Sequence, residues 1–83
     1  MKVTVYMKPS CPYCKKAILV LNRQGVKPVI VDVSAQPNKR SEMIRKAGGR
    51  TTVPQIFFDN KHIGGCDDLV KLEKSGMLHE LLG

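Results

Sequence analysis

The chain has 83 residues, 42% of them apolar, and a formal net charge of +7, enough for one compact domain that folds without covalent staples. No stretch approaches the ~18 apolar residues of a membrane span, and the alternating start Met1-Lys2-Val3-Thr4-Val5-Tyr6 lacks the apolar core of a secretory leader. Three cysteines, an odd count, argue against a secreted disulfide framework, so a soluble, cytoplasmic protein with no membrane partner is expected.

From Lys2 to Met7 the apolar Val3, Val5 and Met7 alternate with Lys2, Thr4 and Tyr6, the period-two pattern of a strand. Pro9-Ser10 interrupts it, and Pro12 suits a first helical turn, where its missing N–H is not needed. Cys14, Ala17, Ile18 and Leu21 fall at i, i+3, i+4 and i+7, one apolar stripe, and Gly25 supplies a stop. Val29-Ile30-Val31-Asp32-Val33 is β-branched and predicts a buried central strand. A second helix is expected from Pro37-Asn38 through Met43, Ile44 and Ala47 to Gly48-Gly49. Strand, helix, strand in that order implies a parallel pair. Gln55-Ile56-Phe57-Phe58, a turn at Asp59-Asn60-Lys61 and the short His62-Ile63 read as a hairpin. After Gly64-Gly65, Asp67 is expected to cap a third helix carrying Leu69, Val70 and Leu72, and Gly76 to split off a last short helix with Met77, Leu78, Leu81 and Leu82. The order β-α-β-α-β-β-α plus a short C-terminal helix describes one α/β domain over residues 1–83.

The charge is unevenly placed. Lys2, Lys8, Lys15, Lys16, Arg23 and Lys27 all precede Asp32, the first acid, so the segment holding two of the cysteines is purely cationic. Such a field attracts anions and favours a thiolate; ordinary solubility charge is the competing reading. With only two Tyr and two Phe, the basic residues do not interleave with aromatics, and no nucleic-acid partner is expected.

Cys11-Pro12-Tyr13-Cys14 lies between the first strand and helix of a β-α-β pattern, the redox arrangement of thioredoxin-like folds. Cys11 falls at the helix N-terminus, where unpaired amides and the macrodipole favour an anion, with Lys8 and Lys15 nearby. Cys14, a turn further on, falls on the apolar stripe and is expected to stay a buried thiol. A disulfide closing so small a ring stabilises by only roughly 2 kcal/mol, so its value lies in opening and closing. Tuning Cys11 toward the anion makes it a better leaving group when a second thiol attacks its mixed disulfide. A zinc site from Cys11, Cys14, His62 and Cys66 is the rival reading, disfavoured by the H-x-x-x-C spacing and by Pro12-Tyr13. Without it, Cys66 is a small buried thiol and His62 a solvent-facing hairpin residue.

Val53-Pro54 is the second feature. Proline holds Val53 extended and removes a donor; in cis, the Val53 backbone would offer one rung of β-pairing to an extended ligand, while an edge-strand proline is the default. The third is Gly64-Gly65-Cys66-Asp67-Asp68, where glycines permit close backbone approach and helix amides can bind a carboxylate. Asp67 there either pairs with an ammonium or serves as a plain cap.

Together, Cys11-Pro12-Tyr13-Cys14, Thr52-Val53-Pro54 and Gly64-Gly65-Cys66-Asp67-Asp68 resemble the glutaredoxin family, in its dithiol class. Arg50 to Phe57 with His62 to Gly65 is similar to the bacterial glutaredoxin-3 type. The resemblance implies a thioredoxin-like fold, a four-stranded mixed sheet flanked by helices, and glutathione as electron donor with no metal. Carried over by position, Cys11 resembles the nucleophile and Cys14 the resolving cysteine. Val53, before the family's cis proline at Pro54 and with Thr52 beside it, would pair with the cysteinyl backbone of glutathione. Cys66 and Asp67 would hold its γ-glutamyl end, and Lys8 and Tyr13 would line the glycine end, with Arg40 a further contributor there. The partners implied are glutathione and glutathionylated or disulfide-containing proteins, ribonucleotide reductase and sulfate-assimilation reductases among them, acting on a monomer. Two other readings stand beside this one: a redoxin served by thioredoxin reductase, and an iron–sulfur carrier. Pro12 disfavours the carrier, because relatives suited to that role commonly have Gly after the first Cys.

Overall fold

A computed structural model describes residues 1–83. Strands β1 (Val3–Met7), β2 (Val29–Asp32), β3 (Gln55–Phe58) and β4 (Lys61–Gly64) form one sheet in the order β2-β1-β3-β4. Helices α1 (Pro12–Arg23), α2 (Pro37–Lys46), α3 (Cys66–Ser75) and α4 (Met77–Leu82) flank it. β1 runs parallel to β2 and antiparallel to β3, and β3 antiparallel to β4. This is the mixed four-stranded sheet of a thioredoxin-like fold.

Strand alternation divides the core in two. Val3, Val5, Ile56 and Phe58 pack with Ala17, Val20 and Leu21 of α1, Leu69 of α3 and Leu78 of α4. On the other side Tyr6 and Phe57 meet Val33 and the α2 residues Met43 and Ala47, Ala47 being the helix cap. The buried stripe of α1 is Cys14, Ala17, Val20 and Leu21; Val20 takes the place expected of Ile18, which is only half-buried. α1 ends as Gly25 (φ +79°) donates to Asn22 O at 2.9 Å and Val26 to Leu21 O at 3.0 Å, the paired bonds of a Schellman stop.

Two expectations are corrected. The Val29–Val33 run is not central: β2 lies at the sheet edge, leaving Val29 46% and Ile30 44% exposed. β1 is interior instead, covered on both faces by the two core clusters. Pro54 is not an edge-strand proline either: it precedes the interior strand β3, and its bond to Val53 is cis.

Gly64 at the end of β4 has φ +123°, and a Cβ there would fall on the Asp68 carboxylate. Substitution by Ala therefore combines a backbone cost of ~1–2 kcal/mol with displacement of the side chain that caps α3, worth ~1 kcal/mol. Gly64→Ala is expected to lose roughly 2–3 kcal/mol in urea unfolding; a loss below about 0.5 kcal/mol would contradict this packing.

Candidate active site

Cys11 is the N-cap of α1, extended at φ −89° and ψ 112°, with Pro12 opening the helix. Its sulfur accepts the Cys14 amide at 3.3 Å, so a free N–H of the first turn points at the atom where negative charge would sit. No acid occupies that turn. On its other side the Cys11 thiol faces the Val53 carbonyl at 3.8 Å. All three cysteines are free; Cys11 is half-buried, Cys14 and Cys66 buried. Cys14 is fully enclosed, and burial, reinforced by its hydrogen bond to Cys11, pushes its thiol up to about 12. Burial also raises Cys66, while Lys16 draws it back.

A cleft of about 250 Å³ lies beside this pair. Six of the residues picked out in the sequence line it: Tyr13, Thr52, Val53, Pro54, Cys66 and Asp67. Lys8 and Arg40 do not, though both are exposed; Lys8 instead accepts the Cys11 amide at its carbonyl, at 3.1 Å, tying the loop before the helix to the nucleophile's backbone.

The cap of α3 differs from expectation. Gly65, not Asp67, is the N-cap, and the Asp68 side chain reaches back to the Gly65 N–H at 2.9 Å. The sequence signal is the acid three residues after the cap. With Asp68 serving the helix, Asp67 stays exposed and takes part in none of the ion pairs, available to an ammonium. Arg50, given no role by its sequence context, also lines the cleft and bonds Asp68 at 3.2 Å. It ties the segment before Thr52 to α3. Both side chains are over 40% exposed (47% and 42%), so the pair adds little energy and serves mainly to hold a shape.

The Gly65 amide, then Arg50, holds the Asp68 carboxyl below its usual value. A depressed carboxyl pKa stabilises the fold above the unfolded value of about 3.9, and that contribution fades as pH falls through the folded value. Asp68→Asn is thus expected to cost about 1 kcal/mol at pH 7, with the gap to wild type narrowing as pH falls through the folded value. Paired thermal melts at pH 7 and pH 3 check this; a gap unchanged with pH would refute it.

His62 is half-buried rather than solvent-facing. Its Nε2 lies 2.7 Å from Gln55 Oε1 and its ring lies tilted on Phe57, 5.0 Å between centroids. It is thus engaged away from the cysteines, and no group of three or more His, Cys, Asp or Glu is arranged to hold a metal ion.

A family model described as Glutaredoxin matches residues 3–63. Glutaredoxin 3 of Escherichia coli (strain K12) is 49% identical over 80 residues, covering 96% of this chain and 95% of the relative. The solution structure of glutaredoxin from Brucella melitensis superposes with a TM-score of 0.85 at 46% identity, over 99% of this chain and 88% of that one. The crystal structure of a buckwheat glutaredoxin–glutathione complex gives a TM-score of 0.87 at 25% identity, over 96% and 74%.

Proposed function

Since the chain belongs to the glutaredoxin family and is a thiol–disulfide oxidoreductase, we propose that residues 1–83 act as one domain that draws its electrons from glutathione through Cys11 and Cys14. The observation that carries this reading is the Cys11 sulfur set against the α1 amide of Cys14 and the Val53 carbonyl, beside a cleft with Asp67 free at its rim.

The tripeptide matches that cleft in kind. Glutathione carries two carboxylates and one ammonium. The first-turn amides of α3 suit a carboxylate, Asp67 suits the ammonium, and the Val53 backbone suits the cysteinyl peptide unit. Tyr13, Thr52, Pro54 and Cys66 complete the walls, and the exposed Lys8 supplies cationic field for the glycine carboxylate.

In the first half-reaction the Cys11 thiolate attacks the glutathione sulfur of a protein–glutathione mixed disulfide. The old S–S bond breaks, a new one joins Cys11 to glutathione, and the protein thiolate leaves and takes a proton from water. A second glutathione thiolate then attacks the glutathione sulfur, oxidised glutathione departs, and Cys11 returns as the thiolate. With a protein disulfide, Cys14 attacks the Cys11 sulfur of the intermediate, gives up its proton and closes the Cys11–Cys14 bridge. Two glutathiones reopen it.

The test follows NADPH consumption with a glutathionylated protein substrate, adding either glutathione with its reductase or thioredoxin reductase alone. Turnover is expected only with glutathione. Equal or faster turnover with thioredoxin reductase would overturn the assignment of the electron donor.

A further inference from the structure

Gln55 opens the interior strand β3 and is the one buried residue classed as polar, with no exposed surface. Its Nε2 donates to the Thr52 carbonyl at 3.0 Å and approaches the Thr52 hydroxyl at 3.3 Å. A carbonyl only accepts, so the nitrogen of the amide must face Thr52 and the oxygen must face His62. The His62 Nε2, 2.7 Å from that oxygen, must then be the protonated ring nitrogen. No buried side-chain nitrogen or oxygen is left without a partner, so the series is complete: Phe57 supports the ring, the ring holds the amide, and the amide holds Thr52.

We propose that His62 and Gln55 are positioning residues for the Thr52–Val53 backbone, a proposal that rests on the glutathione reading above. Thr52 and Val53 line the cleft, and the Val53 carbonyl stands 3.8 Å from the reactive sulfur. The segment between Lys46 and Gln55 belongs to no helix or strand. A loop that must pair with an extended peptide needs its amide and carbonyl fixed before the ligand arrives, because ordering them on binding lowers affinity. The Gln55 amide supplies that restraint from beneath, inside the sheet, and forms no bond to Cys11. Removing the His62 donor leaves a buried amide oxygen unpaired, which favours reorientation of the amide and release of Thr52.

The experiment varies glutathione in steady-state reduction of a mixed disulfide, comparing wild type with His62→Phe, His62→Gln and Gln55→Met, and records the iodoacetamide alkylation rate of Cys11 in each. His62→Phe keeps a ring against Phe57 but loses the donor, and is expected to raise the glutathione KM about fivefold, the worth of one hydrogen bond. Gln55→Met is expected to raise it about tenfold or more, having lost both ends of the relay. In both, kcat at saturating glutathione and the alkylation rate stay within about twofold of wild type, since neither residue touches the sulfur. His62→Gln restores a donor and is expected to bring KM back within about twofold of wild type. An unchanged KM in His62→Phe, a His62→Gln as impaired as His62→Phe, or a parallel fall in kcat and alkylation would overturn the relay. The His62 pair carries the test should Gln55→Met fail to fold. Wild type showing no glutathione-dependent turnover would instead refute the functional reading, whatever the variants do.

Discussion

Cys11→Ser is expected to lose roughly a thousandfold or more of the exchange activity, on mixed disulfides and on protein disulfides alike. The substitution leaves the cap of α1 in place, since a serine oxygen accepts the Cys14 amide at least as well as sulfur does. Fold and cleft therefore persist, and the loss reads out chemistry alone. A hydroxyl has no accessible anion near pH 7 and forms no exchangeable bond to sulfur, so neither half-reaction has a starting atom. The matching measurement on wild type is alkylation: iodoacetamide should modify Cys11 faster at neutral pH than an unstructured peptide thiol, because a helix terminus with free amides stabilises the reacting anion. Serine-variant turnover above about 1% of wild type would remove Cys11 from the mechanism.

How far the fold and site were legible in the sequence depends on whether the signal was local. The Schellman stop at Gly25, the α1 stripe and the hairpin from Gln55 to Gly64 are written in neighbouring residues, and the structure matches them closely. The edge position of β2 is not local. Val29-Ile30-Val31 has the composition of a strand covered on both faces, yet it takes the sheet edge because β1 already pairs with β3 on its other side, leaving β2 one neighbour. Conversely, β1 alternates Thr4 and Tyr6 with Val3, Val5 and Met7, a pattern that does not say which strands flank it. It is interior because α2 delivers Met43 to cover Tyr6 and Glu42 to accept its hydroxyl at 2.6 Å. At the site, the cysteines and the Thr52–Pro54 segment were legible as motifs. Arg50 and the His62–Gln55 contact were not, since each is made between residues that only the folded sheet brings together. The cap was misassigned for a subtler reason: two adjacent acids at Asp67 and Asp68 compete for one role, and only the second has the reach of a capping-box side chain.

Cys14→Ser separates the two activities. The variant is expected to keep most of the wild-type rate on protein–glutathione mixed disulfides and to lose roughly a hundredfold on protein disulfides. With a glutathionylated substrate, the bond left on Cys11 is to glutathione itself, and a second glutathione from solution completes the cycle without Cys14. With a protein disulfide, the bond left on Cys11 is to the substrate. In the proposed mechanism Cys14, in the first turn of the helix that Cys11 caps, resolves it at an effective concentration that a thiol in solution cannot approach. Burial first, and the Cys11 sulfur second, keep Cys14 a neutral thiol at about 12, so it does not compete for the incoming disulfide. Bonding at Cys11 removes one of the influences that raise Cys14 but leaves the larger one, burial, in place. Quenching the Cys14→Ser reaction with acid and measuring intact mass should therefore show a Cys11–substrate adduct that wild type does not accumulate. A serine variant that turned over protein disulfides at the wild-type rate, with no adduct trapped, would show that resolution does not pass through Cys14.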